Sequence, residues 1–362
     1  MPRTPKQPKL ESREPATPSL VEFDRQKAET DELRAVARRA QAAAARAKAK
    51  SEDLVAAVYR AAYDAAVVLG PVPPTQPPVK LTKREREHDE TALIHATDWQ
   101  LGKLTESYSM DKCEARVEKF ARKIALLTEI QRAAHPVSRA HLMFGGDMIE
   151  NVDIFPGQAY EVEDTLFGQM FRCVRIGTNL INNLLGMGFE EVEVTAEPGN
   201  HGRIGRKGQF PAKDNADRMV YEITRLHFAD NPRVVWNGDS GGWHQQLHIG
   251  NYHAMLIHGD EIKSFGGNTP AFGLLRKGTA WSSGVVDLPK GFDIYFGHFH
   301  TPMTLTLPNG ANMFGTGSTE SDNAYAAEFV AARGKPSQRL HFIDPRKGRV
   351  TAEYKVYLDE ED

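Results

Sequence analysis

The 362-residue sequence predicts an α/β fold, and three observations lead to that prediction. Short apolar runs that end at Asp, Asn or His alternate with longer amphipathic stretches from about residue 90 onward. Strand–helix–strand alternation of this kind implies parallel pairing with right-handed crossovers. Two segments near the end of the chain instead predict antiparallel hairpins, because Gly-containing turns separate their apolar runs. Hydrophobic residues make up 40% of the chain, which is enough to build a buried core.

The first part of the chain differs in composition from the rest and is predicted to form separate regions. Residues 1–21 are rich in Pro, Lys, Arg, Ser and Thr, a composition typical of disordered chain. Residues 22–70 are rich in Ala, Arg and Lys, which favour helix, and are predicted to form a helical appendage. Residues 71–90 begin Pro-rich and end highly charged, so we interpret them as a linker. The main domain is then expected to span residues 91–362.

One stretch of the predicted appendage carries a run of basic residues and no acidic residue. Some of their spacings share a helical face, which could follow the phosphates of a nucleic acid. A run of this kind is more often the solvated face of a helix, and both interpretations stay open. The appendage could also form a homodimer or dock a partner. The basic residues are Arg34, Arg38, Arg39, Arg46, Lys48 and Lys50.

Net charge and cysteine content limit the class of protein. The formal net charge is -3, which argues against a uniformly basic coat but leaves room for a local basic surface. Cys113 and Cys173 lie in predicted helices, so buried thiols are favoured over a redox pair. No apolar run is long enough to span a bilayer, and the N-terminus lacks the apolar segment of a signal peptide. These features predict a cytoplasmic protein without a membrane partner.

Five predicted strands each end at polar residues. Helical stretches over about 112–134 and 160–187 separate the first three of these strands. The carboxyl ends of parallel strands meet at one edge of a sheet, where α/β proteins build their sites. We therefore expect the polar side chains to lie close together. The strands are ALIHAT before Asp98, HLMFGG before Asp147, VEVTAEPG before Asn200, HAMLI before His258 and DIYFG before His298.

The polar residues at these strand ends form a set of oxygen and nitrogen ligands. Carboxylate, imidazole and amide groups without thiolate suit Mn²⁺, Fe or Zn²⁺ better than a soft metal. Seven such residues are too many for one ion and about right for two ions that share a carboxylate. The last two alternate along one extended segment, so their side chains point the same way. The set is Asp98, Gln100, Asp147, Asn200, His258, His298 and His300.

Each of these residues also has an ordinary structural interpretation. Asp98 and Asp147 could cap turns or helices after their strands. His298 and His300 could be surface histidines, and His258 taken alone could equally be a structural histidine. Only the regular series of five motifs favours a metal site over these alternatives.

In chain order the five motifs are TDWQLGK, GGD, PGNH, HGD and GHFH, and together they resemble the calcineurin-like metallophosphoesterase family. That family's pattern is D-x-H, G-D, G-N-H-D/E, a lone His and G-H-x-H. The resemblance covers roughly residues 91 to 320, including GTGS at 315–318. TDWQLGK is most similar to the opening motif of the SbcD-type DNA repair nucleases. The resemblance implies a four-layer αββα sandwich and hydrolysis of a phosphoester with two metal ions.

The resemblance also implies a role for each motif residue. A first ion would be held by Asp98, Gln100, Asp147 and His300. A second ion would be held by Asp147 as the bridge and by Asn200, His258 and His298. His201 would be the acid that protonates the leaving oxygen. The expected ions are Mn²⁺, with Fe, Zn²⁺ or Mg²⁺ as alternatives, and two such ions activate a water for in-line attack on phosphorus.

The chain departs from the family pattern at three positions. Gln100 stands where the family usually has His, so the first ion is expected to bind more weakly. Gly202 replaces the acidic residue after the Asn-His pair, so His201 is expected to lack an orienting neighbour. Glu150 occupies a position where the nuclease branch often carries a second His. These departures weaken the assignment as a nuclease more than the assignment as a hydrolase.

The glycine-rich stretch after His201 carries candidate substrate-binding residues. Arg203 and Arg206, with Lys207, could clamp a phosphate or a nucleic-acid backbone, and a solvated loop is the alternative. DNA is the leading substrate, as in the nuclease branch, where an ATPase partner is usual. Hydrolysis of a phosphomonoester or a small-molecule phosphodiester is the alternative activity, because loops decide substrate choice. A non-catalytic binding protein on the same scaffold is the alternative of another class.

Overall fold

The computed structural model describes the main domain and scattered helical positions between residues 31 and 64. The main-domain ranges are 89–205, 207–238, 242–263, 270–321 and 335–359. By contacts the chain divides into two compact units, Met1–Ala61 and Ala62–Asp362.

In the first unit, the described members of the predicted basic run are helical and exposed, namely Arg34, Arg38, Arg39 and Arg46. Lys48 and Lys50 lie outside the described residues, as does the predicted disordered segment 1–21. The predicted linker 71–90 also lies outside them, except for its last two residues. The second of these, Glu90, already begins the first strand of the main domain.

Strands and helices alternate along the first part of the main domain, and strands dominate its end. The helices are α1 (Met110–Arg132), α2 (Leu166–Gly186), α3 (Ala216–His227) and α4 (Ala271–Ala280), with a 3₁₀ turn at Gln158–Tyr160. The strands are β1 (Glu90–Ala96), β2 (Val137–Phe144), β3 (Glu191–Ala196), β4 (Val234–Trp236), β5 (Gln245–Ile249), β6 (Tyr252–Leu256), β7 (Asp293–Phe296), β8 (Met303–Thr306), β9 (Asn312–Gly315), β10 (Ser337–Asp344) and β11 (Arg349–Tyr357).

The strands form two sheets that face each other. One sheet has the order β11-β10-β1-β2-β3-β4, and the other has the order β5-β6-β7-β9-β8. β1 to β4 run parallel, as predicted, and β10 pairs antiparallel with both β1 and β11. β8 and β9 also form an antiparallel hairpin, so both predicted hairpins are confirmed. Apolar side chains from both sheets meet between them, among them Leu93, Met143, Leu256 and Phe314.

Helices cover the two outer faces of this pair of sheets. α1 contacts α2 and β2, and α2 contacts α3 and β3, so these helices cover the six-stranded sheet. α4 covers the five-stranded sheet, where Leu274 packs in one cluster with Met255, Ile294 and Met313. The layers are therefore helix, sheet, sheet and helix, which confirms the predicted α/β fold and its αββα arrangement.

The beginning of α2 determines the length of an important loop. The sequence predicts this helix from about residue 160, but it begins at Leu166 because the Thr165 side chain accepts a hydrogen bond from Gly168 N. Residues 150–165 consequently form a loop that contains only the Gln158–Tyr160 turn. This loop lies beside the candidate site described below.

Two expectations about the whole chain can be compared with the structure. Cys113 on α1 and Cys173 on α2 are buried free thiols, and burial raises the pKa of each, so the prediction of buried thiols is confirmed. Among the described residues, no helix has the length and apolar character that a membrane crossing would require.

Candidate metal centre

The seven predicted ligands lie in loops that follow strands of both sheets. Loops after β1, β2 and β3 carry the ligands of the six-stranded sheet, which are Asp98, Gln100, Asp147 and Asn200. Loops after β6 and β7 carry those of the five-stranded sheet, which are His258, His298 and His300. Because the carboxyl ends of these strands face one another, the structure brings all seven residues together.

One group of these residues gathers around the Oδ2 atom of Asp147. His258 Nε2 lies 3.1 Å from this oxygen and 3.1 Å from Asn200 Oδ1. Asp147, His258 and His298 each offer a ligand atom, and these atoms all lie within 4.8 Å of one another. The other ring nitrogen of His258, Nδ1, lies 2.9 Å from Gly145 O, to which it can donate. Nε2 is then left to face the cluster with its lone pair.

A second group meets the first at the same Oδ2 atom of Asp147. His300 Nε2 lies 3.3 Å from Asp98 Oδ1. Gln100 Nε2 lies 3.3 Å from Asp147 Oδ2 and 3.5 Å from His300 Nε2. Asp147 therefore contacts members of both groups, which is the position that a bridging carboxylate requires.

A buried amide oxygen tests whether these residues fit metal ions. Gln100 Oε1 is buried and has no hydrogen-bond partner among the described residues. An unpaired buried polar atom is costly and rare in native proteins, and a bound cation would satisfy it. The amide nitrogen of the same side chain contacts the Asp147 carboxylate and the His300 imidazole. Carboxylate, imidazole and amide oxygen are donors that suit Mn²⁺, Fe, Zn²⁺ or Mg²⁺. The residues therefore fit the two divalent ions that the motifs imply.

Backbone conformation marks the same residues independently. Of the described non-glycine residues with positive φ, all but Asn151 are predicted ligands, namely Asp98, Gln100, Asp147, His298 and His300. Their φ angles lie between 46° and 63°. This left-handed conformation costs an ordinary residue about 1–3 kcal/mol and concentrates at functional sites. Such strain at five predicted ligands supports a function for the cluster.

A buried aspartate from α3 holds two of the ligand loops together. Asp217 Oδ2 accepts hydrogen bonds from Asp147 N at 2.8 Å and from Gly199 N at 2.9 Å. Its other oxygen accepts one from Met148 N at 3.1 Å. Burial, with a further contribution from the neighbouring Asp147 charge, raises the pKa of Asp217 to about 6. Asp217 belongs to no sequence motif, and only the packing of α3 against the loops reveals it.

The same helix accounts for the glycine at position 202. A Cβ atom at position 202 would overlap the Oδ1 atom of Asn215 and would lie 2.9 Å from Asp217 Cγ. The N-terminus of α3 therefore leaves no room for any side chain at this position.

A different carboxylate orients His201. The Nδ1 atom of His201 lies 3.0 Å from Glu150 O and 3.3 Å from Glu150 Oε2. The backbone N of His201 donates to Asp147 Oδ1 at 2.7 Å, and its Nε2 lies 3.9 Å from Asp147 Oδ2. The expectation that His201 would lack an orienting acidic neighbour is therefore wrong. Glu150 supplies that carboxylate from the loop after β2, a contact that sequence spacing does not predict.

Carboxylates and burial shift the pKa values of the site histidines in opposite directions. Burial lowers the pKa of His201, but the Glu150 and Asp147 carboxylates outweigh burial and raise it to about 9. Burial, reinforced by the neighbouring charge of His258, lowers the pKa of His298 to about 3. Burial also lowers the pKa of His300, but the Asp98 and Glu320 carboxylates outweigh it and raise that pKa to about 10. The raised pKa of His201 suits a proton donor, whereas His300 must lose its proton before it can bind a metal ion.

Two buried charged residues, Glu320 and Lys103, support the ligand group that contains His300. Glu320 Oε2 lies 3.1 Å from His300 Nδ1, an arrangement that fixes a ligating imidazole through its distal nitrogen. Lys103 Nζ lies 3.5 Å from Glu320 Oε1 and 3.9 Å from Glu150 Oε1. Lys103 ends the motif TDWQLGK, and Glu320 follows GTGS closely. The sequence analysis assigned no role to either residue.

The described residues of the predicted substrate clamp form ion pairs within the protein. The Arg203 guanidinium forms a short ion pair with Asp260, and Lys207 Nζ lies 4.0 Å from the same carboxylate. Arg206 lies outside the described residues. The role of these residues toward a phosphate stays a prediction.

Replacing Gly202 with Ala is expected to lower the free energy of unfolding by about 1–3 kcal/mol, because the new methyl group would push Asn215 and Asp217 away. Urea unfolding of both proteins measures this difference. Gly186→Ala at the end of α2 is the matched control, since a Cβ there meets nothing within 4 Å and should change stability by less than about 1 kcal/mol. Equal stability of both variants would contradict the close approach of α3.

Replacing Glu320 with Gln is expected to weaken the binding of one divalent ion about 10- to 100-fold, because His300 would lose its orienting carboxylate. Calorimetric titration of the metal-free protein with Mn²⁺ measures the affinity of each site. Glu129→Gln, an exposed carboxylate on α1, is the control and should leave both affinities unchanged. An unchanged affinity in Glu320→Gln would show that Glu320 does not support a ligand.

Comparisons with known proteins give only distant similarities. No family model and no curated protein matches the chain. Vps29 complexed with Zn²⁺ from Entamoeba histolytica is 10% identical, with 74% of this chain and 99% of that chain covered and a TM-score of 0.33. A predicted phosphoesterase from Streptococcus pneumoniae is 10% identical, with coverage of 74% and 98% and a TM-score of 0.30. The structure of PhoD is 8% identical, with coverage of 75% and 65% and a TM-score of 0.35. Similarities this distant show neither family nor activity, so the functional proposal rests on the site.

Proposed function

We propose that this protein is a metal-dependent phosphoester hydrolase of the calcineurin-like metallophosphoesterase type, and that it hydrolyses a phosphodiester. The observation that carries this proposal is the meeting of Asp147 with the six other predicted ligands, with His201 Nε2 3.9 Å from Asp147 Oδ2. The order of the five motifs along the chain and the αββα layers support it.

Two divalent ions would be held by the two ligand groups that meet at Asp147. When bound, such ions neutralise charge on the phosphate oxygens and lower the pKa of a water for in-line attack. The left-handed backbone at five of the ligand positions, Asp98 and His300 among them, fixes the ligands before any ion binds. We propose Mn²⁺ as the working ion, with Fe, Zn²⁺ or Mg²⁺ as alternatives.

His201 would donate the proton that the leaving oxygen requires. Its Nδ1 faces Glu150, so its Nε2 is the nitrogen left to face the substrate side of the cluster. The Glu150 carboxylate stabilises the protonated imidazole and holds its orientation. The reaction breaks the bond between phosphorus and the leaving oxygen, and the His201 proton ends on that oxygen.

The charges around the site favour a phosphodiester over a phosphomonoester. A monoester dianion requires more positive charge from the protein than a diester monoanion does. Lys103 is paired with two buried glutamates, and Arg203 is paired with Asp260. These cations are therefore already largely neutralised, and a singly charged phosphate suits the site better.

DNA is the substrate that we propose within this class, with the SbcD-type repair nucleases as the nearest pattern. Two features support it. The first is the similarity of TDWQLGK to their opening motif. The second is the set of exposed helical arginines in the first unit, which could bind DNA phosphates, namely Arg34, Arg38, Arg39 and Arg46. We also propose that residues 22–70 bind an ATPase partner or a second copy of the chain. We further propose a cytoplasmic location.

Hydrolysis assays with added Mn²⁺ test the proposal directly. The metal-loaded protein should hydrolyse bis(4-nitrophenyl) phosphate, and chelation should abolish this activity. Cleavage of linear DNA that weakens steeply with rising salt would support the nuclease, since phosphate-backbone binding releases counterions. Cleavage of the small diester alone would favour a small-molecule phosphodiesterase. Binding of two ions without any hydrolysis would favour a non-catalytic protein on this scaffold.

A further inference from the structure

An exposed aromatic side chain lies directly beside the proposed acid. The ring centroid of Phe155 is 5.1 Å from that of His201, and the two ring planes are tilted by 57°. Phe155 is 44% exposed, although burying such a ring would stabilise the fold. Part of its surface is therefore available to a ligand on the side of the site where the leaving group departs.

A buried glutamine fixes the backbone that carries Phe155. Gln158 Oε1 accepts hydrogen bonds from Ile154 N at 2.8 Å and Phe155 N at 3.3 Å. Gln158 Nε2 donates to Glu150 O at 2.7 Å and to Glu150 Oε1 at 3.0 Å. Since Glu150 also contacts His201, one side chain links the aromatic residue to the acid. The backbone at Phe155 is thus held before a ligand binds, which lowers the entropy cost of binding.

Two more apolar side chains on this loop and its neighbour are exposed. Tyr160 is 94% exposed, and Leu104 is 48% exposed. Leu104 N donates to Glu161 O at 2.9 Å, so this residue is attached to the loop. A single exposed apolar residue is common, whereas three on one loop and the segment attached to it indicate a binding surface.

The loop that carries Phe155 is also acidic. Residues 150–164 contain five acidic side chains and no Lys, Arg or His. Four of the five are exposed, namely Asp153, Glu161, Glu163 and Asp164. Like charges repel, so this loop disfavours a further phosphate on the leaving-group side of the one held at the metal centre.

We propose that Phe155 and its acidic loop form a subsite for a nucleoside leaving group that carries no phosphate of its own. This inference rests on the proposed phosphodiesterase function, which puts the leaving oxygen beside His201. An aromatic ring stacks on any nucleobase, and the acidic loop accepts a neutral nucleoside but repels a polyanionic chain. The substrate class is therefore a dinucleoside monophosphate, or a nucleic-acid end from which cleavage releases one nucleoside.

Hydrolysis of the deoxydinucleoside monophosphate dApdA by the Mn²⁺-loaded full chain tests the aromatic contact. Phe155→Leu keeps an apolar side chain but removes the ring, and should raise KM about 10- to 100-fold while kcat changes little. Phe155→Trp should retain the wild-type KM. Phe272→Leu removes an exposed ring from α4, in the outer layer of the sandwich, and should leave both constants unchanged. An unchanged KM in Phe155→Leu would overturn the stacking role.

Comparison of dApdA with pdApdAp, which carries a phosphate at each end, tests the role of charge. The wild type should have a higher kcat/KM for dApdA than for pdApdAp. The double variant Asp153→Asn, Glu161→Gln should lower the ratio of these two kcat/KM values by roughly three-fold or more. A preference that the double variant leaves unchanged would mean that the acidic loop does not select against extra phosphate.

Binding of adenosine to the metal-free protein separates failure of the subsite from failure of the proposed function. Saturation-transfer NMR should detect adenosine on the wild type and not on Phe155→Leu. If adenosine binds through Phe155 but no phosphodiester is hydrolysed, the aromatic subsite stands and the hydrolase proposal fails. If the wild type and Phe155→Leu hydrolyse dApdA with equal KM and neither binds adenosine, the hydrolase proposal stands and the proposed nucleoside subsite is wrong.

Discussion

Asp147→Asn is expected to lower kcat/KM for bis(4-nitrophenyl) phosphate by about 10³-fold or more, because both ligand groups depend on this carboxylate. Its Oδ2 atom lies 3.1 Å from His258 Nε2 and 3.3 Å from Gln100 Nε2. Removing the shared charge should disrupt both ion sites and with them several kcal/mol of transition-state stabilisation. Elemental analysis should show about two ions in the wild type and fewer in the variant.

The matched control for this variant is Asp230→Asn, an exposed aspartate beyond the end of α3. It makes the same chemical change without touching the ligand cluster, so it should keep wild-type activity and ion content. Thermal unfolding of both variants distinguishes loss of the site from loss of the fold. A folded Asp147→Asn protein that retains activity would remove the central support for a two-metal mechanism.

His201→Asn is expected to act according to the leaving group. A nucleoside alkoxide needs a proton as it departs, so hydrolysis of dApdA should slow by about 10²- to 10⁴-fold. The 4-nitrophenolate ion departs without protonation, so hydrolysis of bis(4-nitrophenyl) phosphate should slow far less. Parallel kcat measurements on the two substrates give this comparison. Equal losses on both would assign His201 to metal or phosphate binding instead of proton donation.

Glu150→Gln separates orientation of His201 from its chemistry. The Glu150 carboxylate raises the pKa of His201, so the neutral amide should lower that pKa from its value of about 9. NMR titration of the metal-free protein measures the imidazole directly. The loss of activity on dApdA should be smaller than in His201→Asn, because the proton donor is still present. An unchanged His201 pKa would show that Glu150 does not stabilise the protonated imidazole.

These expectations bear on the choice between an enzyme and a non-catalytic scaffold. Gln100 and Gly202 are the two departures from the family's motif pattern that favour a site without catalytic activity. Gly202 has a packing reason, because α3 leaves no space for a side chain there. Gln100 retains a buried amide oxygen without a partner among the described residues. Neither residue therefore requires the loss of function, and the wild-type ion content decides between the two classes.

The order of strands and helices followed from local sequence patterns. The apolar runs before Asp98, Asp147 and Asn200 became β1, β2 and β3, and the helices between them formed close to the predicted bounds. Such patterns are readable because the alternation of buried and polar residues follows the period of each element. The meeting of the residues after β1, β2 and β3 was predictable as well, since parallel strands end at one edge of the sheet. His258, His298 and His300 join them from the facing sheet.

The residues that hold the site were decided by contacts between distant parts of the chain. Asp217 on α3 accepts hydrogen bonds from two ligand loops, and Glu320, in the segment after β9, lies beside His300. Phe155 lies against His201 because Gln158 fixes its turn. None of these pairings follows from spacing or periodicity, because each depends on how the elements pack.

The sequence by itself thus determined the α/β fold, the strands that lead to the site, the helices α1 and α2, and the set of strand-end residues that could hold metal. Only the tertiary structure decided that Asp217 holds two ligand loops together and that Glu150 replaces the acidic neighbour missing at Gly202. The physical reason is that secondary structure depends on patterns over a few residues. A site, in contrast, depends on close approach and burial of charges that only the packed sheets and helices bring together.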